Sequence, residues 1–186
     1  LRSLERLEEA EINLRKAIAL EPNFAEGHSN LGLTLHRMGK LKDAETSLRK
    51  AIKLKGEIAE AHNNLGVVLK DRGLFDEAKK SLKRAIELEP SYAGAYNNLG
   101  VCLVETGKLA EARLHYNKAV ELKPIFPEAF WNLGSCETSL SDAEYWIDKC
   151  LEADSNNENA KITKAALRYF QGSKDDFFRL RQSALR

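Results

Sequence analysis

Apolar residues recur along the chain in pairs of short segments, each with the spacing of an α-helix. In one segment, Leu31 and Leu35 stand four residues apart, and His28 precedes Leu31 by three residues. The next segment has its own apolar stripe, formed by Leu41, Ala44, Leu48, Ala51 and Ile52. Both patterns predict amphipathic helices, and Gly39 between them predicts the end of the first helix. The local unit is therefore two helices joined by a short turn.

This unit returns every 34 residues. The tripeptide Asn-Leu-Gly begins at positions 30, 64, 98 and 132. Further columns keep the same step: Ala10, Ala44, Ala78 and Ala112; Ala17, Ala51, Ala85 and Ala119; Leu20, Leu54, Leu88 and Leu122; and Gly39, Gly73 and Gly107. A fixed period of this length is typical of a stacked repeat protein. Small residues such as Gly32 and Ala44 predict a close approach of the two helices in each unit.

These residues resemble the tetratricopeptide repeat (TPR), whose pattern is W-x2-L-G-x2-Y, then A-x3-F, then P. One unit matches it with Tyr96, Leu99, Gly100, Leu103, Ala112, Tyr116 and Pro124. The resemblance implies an all-α fold, an α-solenoid in which helix-turn-helix units stack into a right-handed superhelix. It also implies a concave face lined by the first helix of each unit.

The repeat phase divides the chain, which we expect to form a single TPR solenoid. The predicted segments are the second helix of a partial repeat at 4–22, repeats at 25–58, 59–92 and 93–126, a shortened repeat at 127–157 and a degenerate capping pair at 158–186. The unit at 127–157 lacks three residues at its internal turn. A repeat stack must close its apolar end, so we expect Phe177, Phe178 and Leu180 to pack inward.

Groove residues are predicted from the face of each first helix that does not carry the core pattern. In the repeat at 25–58, this face contains Glu26, Asn30, Leu33 and Arg37, spaced four, three and four residues apart. The next repeats supply the matching positions, and Ser29, Asn63, Asn97 and Trp131 lie next to the asparagine column. The candidate binding set is Asn30, Leu33, Arg37, Asn63, Asn64, Val67, Asn97, Asn98, Val101, Trp131 and Asn132. The family resemblance implies that such a surface binds an extended peptide or a partner protein and performs no chemistry.

The asparagine column allows two interpretations. A carboxamide offers donors and an acceptor, so Asn30, Asn64, Asn98 and Asn132 can pair with the backbone of a peptide of any sequence. Such a column resembles the TPR region of O-GlcNAc transferase, in which the asparagines contact substrate peptides. Alternatively, these amides only support the packing of the repeats. Trp131 is similarly open, since its indole is either a binding hot spot or folds back onto the last unit.

Another TPR class binds the C-terminal carboxylate of chaperone tails through a set of lysines and arginines. Here the corresponding surface carries mainly asparagine, serine, glycine and valine, and Arg37 and Lys70 alone make a weak clamp. The sequence therefore favours peptide binding through amides and aliphatic side chains over a carboxylate clamp.

Composition limits the class of partner that the chain can bind. The 29 Lys and Arg residues nearly balance the 28 Asp and Glu residues, for a net charge of +1, which argues against nucleic acid as the main partner. Apolar runs are far too short for membrane insertion. Three cysteines without CxxC spacing favour reduced thiols and a cytoplasmic location. With no metal, phosphate-loop or catalytic-triad motif, we expect a protein-interaction scaffold rather than an enzyme, with no cofactor and no metal.

The partial first repeat leaves two further interpretations open. The chain begins with Leu1 and lacks the first helix of its first unit, which suggests a fragment of a longer protein. The alternative function is then the substrate-recognition arm of a glycosyltransferase or sulfotransferase whose catalytic domain lies elsewhere. The unpaired helix also exposes an apolar flank around Leu7 and Leu14, which predicts possible self-association.

Overall fold

The computed structural model describes residues 2–169, and this part of the chain contains ten α-helices and no β-strand. The helices are α1 (Arg2–Leu20), α2 (Ala25–Arg37), α3 (Leu41–Leu54), α4 (Ala59–Asp71), α5 (Phe75–Leu88), α6 (Ala93–Glu105), α7 (Leu109–Leu122), α8 (Pro127–Cys136), α9 (Leu140–Ala153) and α10 (Glu158–Tyr169). The predicted capping residues Phe177, Phe178 and Leu180 lie outside the described residues.

Glycine ends the first helix of three units, as the repeat pattern predicts. Gly39, Gly73 and Gly107 adopt φ angles of 75°, 76° and 76°, a left-handed conformation in which a side chain is strained. The backbone N–H groups that follow bond back into the preceding helix, as Lys40 N does to Leu35 O at 2.9 Å. The turn is therefore closed by hydrogen bonds, and the second helix starts at a fixed position.

Small residues bring the two helices of a unit together. A Cβ atom placed on Gly66 would lie 2.5 Å from Leu82 Cγ and 3.3 Å from Ala78 O. Leu82 therefore occupies the space that a side chain at position 66 would need. Ala78 and Leu82 are fully buried. The same contact joins Gly32 of α2 to Leu48 of α3. These pairs bury most of the apolar stripe that the sequence shows.

The described residues form two compact parts of the chain, 2–102 and 103–169, called the first unit and the second unit below. In the first unit, α2 packs against α3 and α4 packs against α5, and α4 also contacts α2 and α3 of the preceding pair. Helix α1 contacts α2, but its repeat-column residues Ala10, Leu14 and Ala17 stay half-buried. Their counterparts in α3 are fully buried because α2 covers them.

The second unit contains the shortened repeat. Helix α8 has 10 residues, whereas α2 and α4 have 13 each, so the three missing residues come from the end of the first helix. Glu137 follows α8 without a glycine turn, and its buried carboxylate lies 3.1 Å from Arg113 of α7. Phe130, Ala143, Ile147, Cys150, Ala160 and Leu167 form the core that joins α8, α9 and α10. The predicted all-α fold of successive helix pairs, typical of a TPR solenoid, is confirmed.

Candidate functional site

A pocket of about 300 Å³ opens between the first helices of two successive repeats, α2 and α4. Four of the predicted groove residues line it: Leu33, Arg37, Asn64 and Val67. His36 and Val68 complete the lining. On each helix the three lining residues follow the spacing i, i+3, i+4, which places them on one face. The pocket therefore lies on the face that the sequence predicts for binding.

The walls of this pocket, which we call the α2–α4 pocket, are mostly apolar. Leu33 and Val67 are half-buried and Val68 is buried. Their methyl groups leave an apolar surface that a ligand would remove from water, which is favourable in proportion to the area covered. Asn64 adds a half-buried amide to the lining. Such a cleft, mainly apolar with a few polar groups, is typical of a binding site.

A hydrogen bond at the pocket joins α2 to α4. The Nε2 atom of His36 lies 2.6 Å from Asp71 Oδ2, and Lys70 Nζ lies 2.7 Å from Asp71 Oδ1. Desolvation by burial acts to raise the pKa of Asp71, but the hydrogen bonds from Lys70 and His36 outweigh it and hold this pKa below its ordinary value. Asp71 is therefore an engaged carboxylate, and Lys70 is already paired instead of standing ready to clamp a ligand.

Arg37 differs from the other charges near the pocket. Its side chain is exposed at the C-terminal end of α2 and makes no ion pair with any residue from 2 to 169. The positions that match it in the next two repeats carry Asp71 and Glu105. A single uncompensated cation thus stands at the rim of the α2–α4 pocket.

The asparagine column becomes progressively more buried along the chain. Asn30 is exposed, Asn64 and Asn98 are half-buried, and Asn132 is buried. Asn98 Nδ2 donates a hydrogen bond of 2.9 Å to Asn63 Oδ1, and Asn63 Nδ2 donates one of 3.4 Å to Asn64 Oδ1. At least part of this column therefore takes part in repeat packing, while Asn64 also lines the pocket.

Three predicted neighbours of the column lie beneath the surface. Ser29 is 6% exposed, Asn63 is 7% exposed and Asn97 is 8% exposed. Asn63 contacts Asn98 one repeat further on, at a separation of 35 residues. On α4 this side of the helix thus faces the next repeat, and all three side chains offer a ligand little surface. Val101, in α6, is half-buried.

Trp131 of α8 lies against the core of the second unit. Its indole Nε1 donates a hydrogen bond of 3.3 Å to Thr163 Oγ1 of α10. The side chain is half-buried. Of the two positions that the sequence leaves open for this residue, the structure shows the one directed at the last described helix.

His36 and Val68 are the lining residues that are absent from the predicted set. The separation of contacting residues along the chain explains both. His36 contacts Asp71 and Asn63 contacts Asn98, and each pair is separated by 35 residues. Contacts between successive first helices therefore follow the repeat period plus one. Applied to Leu33, the same offset gives Val68, the second missing residue.

Reactive thiols and metal-binding clusters do not offer a competing site in the described part of the chain. Cys102, Cys136 and Cys150 are buried. Burial raises the pKa of Cys150 to about 11, so its thiol stays protonated and unreactive at neutral pH. Residues 2–169 contain no group of three His, Cys, Asp or Glu side chains placed to hold a metal ion. None of the helices in this range combines the length and apolar character needed to cross a bilayer.

Comparison with known protein families identifies the repeat. Models described as tetratricopeptide repeat match residues 63–129 and 25–57, and one described as TPR repeat matches residues 1–39. The chain is a tetratricopeptide repeat protein. A search of curated protein sequences finds no significant match.

Solved structures of TPR proteins share the fold. MamA is 29% identical, with 83% of this chain and 92% of MamA covered and a TM-score of 0.71. YrrB, described as a TPR protein with an unusual peptide-binding site, is 26% identical, with 89% and 87% covered and a TM-score of 0.67. PilF of Pseudomonas aeruginosa is 22% identical, with 97% and 90% covered and a TM-score of 0.76, a likeness of fold alone. The tetratricopeptide repeats of this chain and its similarity to YrrB support a role for this chain in protein interaction.

Proposed function

We propose that this TPR protein binds an extended peptide segment of a partner protein across the first helices of its repeats. The observation that carries the proposal is the α2–α4 pocket, in which four independently predicted residues meet. An apolar side chain of the peptide enters between Leu33 and Val67. The peptide-binding site named for YrrB supports a ligand of this class.

Backbone recognition falls to the asparagine column. Asn64 lines the pocket, so its amide is placed to bond the peptide backbone beside the seated side chain. Asn98 gives one of its N–H groups to Asn63, which leaves its carbonyl oxygen to accept a bond from a peptide N–H. Asn63 is then a positioning residue, because its side-chain oxygen orients the amide of Asn98. The column thus serves both interpretations, with packing on one side and ligand on the other.

The pocket is tested by filling it with a charged side chain. A phage-displayed library of random heptapeptides, selected on the wild-type protein, supplies the probes. We expect enriched peptides to bind the Val67→Lys variant at least about tenfold more weakly, because burying an apolar side chain contributes roughly 1.5–3 kcal/mol. Leu114→Lys is the matched control, since Leu114 is 71% exposed on α7 and should leave binding unchanged. Binding that survives Val67→Lys with the helical circular dichroism intact contradicts the proposal.

Two asparagines of one column separate ligand binding from packing. Asn64→Ala should weaken the binding of the enriched peptides severalfold and lower the free energy of unfolding only slightly, because the hydrogen bond that Asn64 accepts from Asn63 is long, at 3.4 Å. Asn98→Ala removes the partner of the buried Asn63 oxygen, so it should also lower the free energy of unfolding by about 1 kcal/mol. Fluorescence anisotropy and urea unfolding measure the two effects. Equal stability losses with unchanged peptide affinity would show that the column serves packing alone.

A further inference from the structure

The charge at the α2–α4 pocket selects among peptides. We infer that this pocket binds a peptide in which an apolar side chain is accompanied, within two residues, by an aspartate or glutamate that pairs with Arg37. This inference rests on the proposed function, because it specifies the ligand of the same site. It is carried by the charge pattern around the pocket and by the distance between its apolar and cationic parts.

The charge pattern leaves one unit of positive charge for a ligand. Asp71 is engaged by both His36 and Lys70, at 2.6 and 2.7 Å. Arg37 lines the same pocket but has no carboxylate partner in the described part of the chain. An acidic side chain of the ligand would therefore gain an opposite charge without displacing an existing ion pair. A lysine or arginine at the same place would meet repulsion from Arg37.

The distance between Leu33 and Arg37 limits how far apart the apolar and acidic residues of the peptide can be. Leu33 and Arg37 lie one helical turn apart on α2, about 6 Å along its axis. An extended peptide advances about 3.3 Å per residue, so a carboxylate reaches Arg37 from a residue at most two positions from the apolar one. The cation also belongs to this pocket in particular, since the repeat places Asp71 and Glu105 at the matching positions. Arg37 is thus a specificity-determining residue against the repeat consensus.

The same heptapeptide library tests the ligand class. On the wild-type protein, selection should enrich sequences in which Asp or Glu stands within two residues of Leu, Ile or Val. On Arg37→Gln the apolar preference should persist and the acidic preference should disappear. Arg37→Glu should favour Lys or Arg instead. Lys53→Gln removes an exposed charge from α3, outside the pocket, and should behave as the wild type.

Affinity gives the quantitative arm of the test. A selected peptide should bind the wild type about two- to fivefold more tightly than its Asp→Asn or Glu→Gln analogue, the range of an exposed ion pair, and added salt should reduce the difference. On Arg37→Gln the two peptides should bind equally. Apolar enrichment without an acidic preference on the wild type overturns this inference and leaves the proposed function intact. Selection of peptides that ignore Val67→Lys overturns both.

Discussion

The contact between successive first helices takes two forms in this molecule. In the first unit it is a hydrogen bond between amides, Asn98 to Asn63, over 35 residues. In the second unit the corresponding contact is Trp131 to Thr163, over 32 residues. The difference of three equals the number of residues by which α8 is shorter than α4. Repeat geometry therefore fixes where the contact occurs, and the residue type decides what kind of contact it is.

This comparison explains why the two units offer different surfaces. In the first unit the positions of α2 and α4 that match this contact carry the small polar residues Ser29 and Asn64, and a pocket lined by Leu33 and Val67 lies between the same two helices. In the second unit the indole of Trp131 packs against the core and reaches α10. We call this contact between successive first helices the seam. Where the seam contains a large aromatic side chain, it becomes part of the core. Ligand binding is therefore expected at the α2–α4 pocket, whose lining contains no large aromatic side chain.

The largest predicted effect tests what the two units share, the glycine at the helix crossing. Gly66→Leu and Gly134→Leu should each lower the free energy of unfolding by roughly 1–3 kcal/mol, the typical cost of overpacking. A Cβ on Gly66 would lie 2.5 Å from Leu82, and one on Gly134 would lie 2.9 Å from Ile147 and 3.1 Å from Ala143 O. Urea unfolding followed by circular dichroism measures both.

Gly56→Leu is the control for these substitutions. Gly56 is exposed in the turn after α3, and the nearest atom to an added Cβ is Ile52 O at 3.6 Å. It should cost well under 1 kcal/mol. If Gly66→Leu costs no more than this control, close helix approach does not stabilise the unit.

The next effect tests the difference between the two seams. Trp131→Ala should lower the free energy of unfolding by about 2 kcal/mol, less than for a fully buried aromatic residue because this side chain is half-buried. Asn63→Ala should cost about 1 kcal/mol, since it removes mainly a hydrogen bond. Denaturant midpoints and slopes from urea titrations give both values. An equal or larger cost for Asn63→Ala would mean that the aromatic seam adds no packing energy.

Sequence pattern predicts most of this architecture because a repeat restates the same packing several times. The helix pairs, the positive-φ glycines and the shared face of Leu33, Arg37, Asn64 and Val67 all follow from the 34-residue period and the helical spacing. These features depend on one helix or on one pair. They are therefore visible in the order of residues alone.

The orientation of side chains between repeats is a different matter. Asn63 and Asn64 are adjacent on α4, yet only Asn64 lines the pocket while Asn63 is buried toward α6. Which of them faces the neighbour depends on how the two first helices cross, and helical spacing within one helix does not contain that angle. The direction of Trp131 is undetermined for the same reason. The structure resolves both, through the contact of Asn63 with Asn98 over 35 residues and that of Trp131 with Thr163 over 32 residues.

The smallest predicted effect concerns the second contact of the first-unit seam, His36 with Asp71, which also spans 35 residues. Because the pKa of Asp71 is lowered in the folded state, its ionised form stabilises the fold above the ordinary carboxyl pKa, and this contribution is lost as pH falls through the lowered value. Asp71→Asn should therefore lower the free energy of unfolding by less than about 1 kcal/mol at neutral pH. Once the pH lies below the lowered pKa of Asp71, the variant and the wild type should be equally stable. Glu57→Gln, in the exposed turn before α4, controls for the loss of a carboxylate. A difference from wild type that stays constant from neutral pH down to that point would contradict the stabilising role of the Asp71 charge, which Lys70 and His36 both contact.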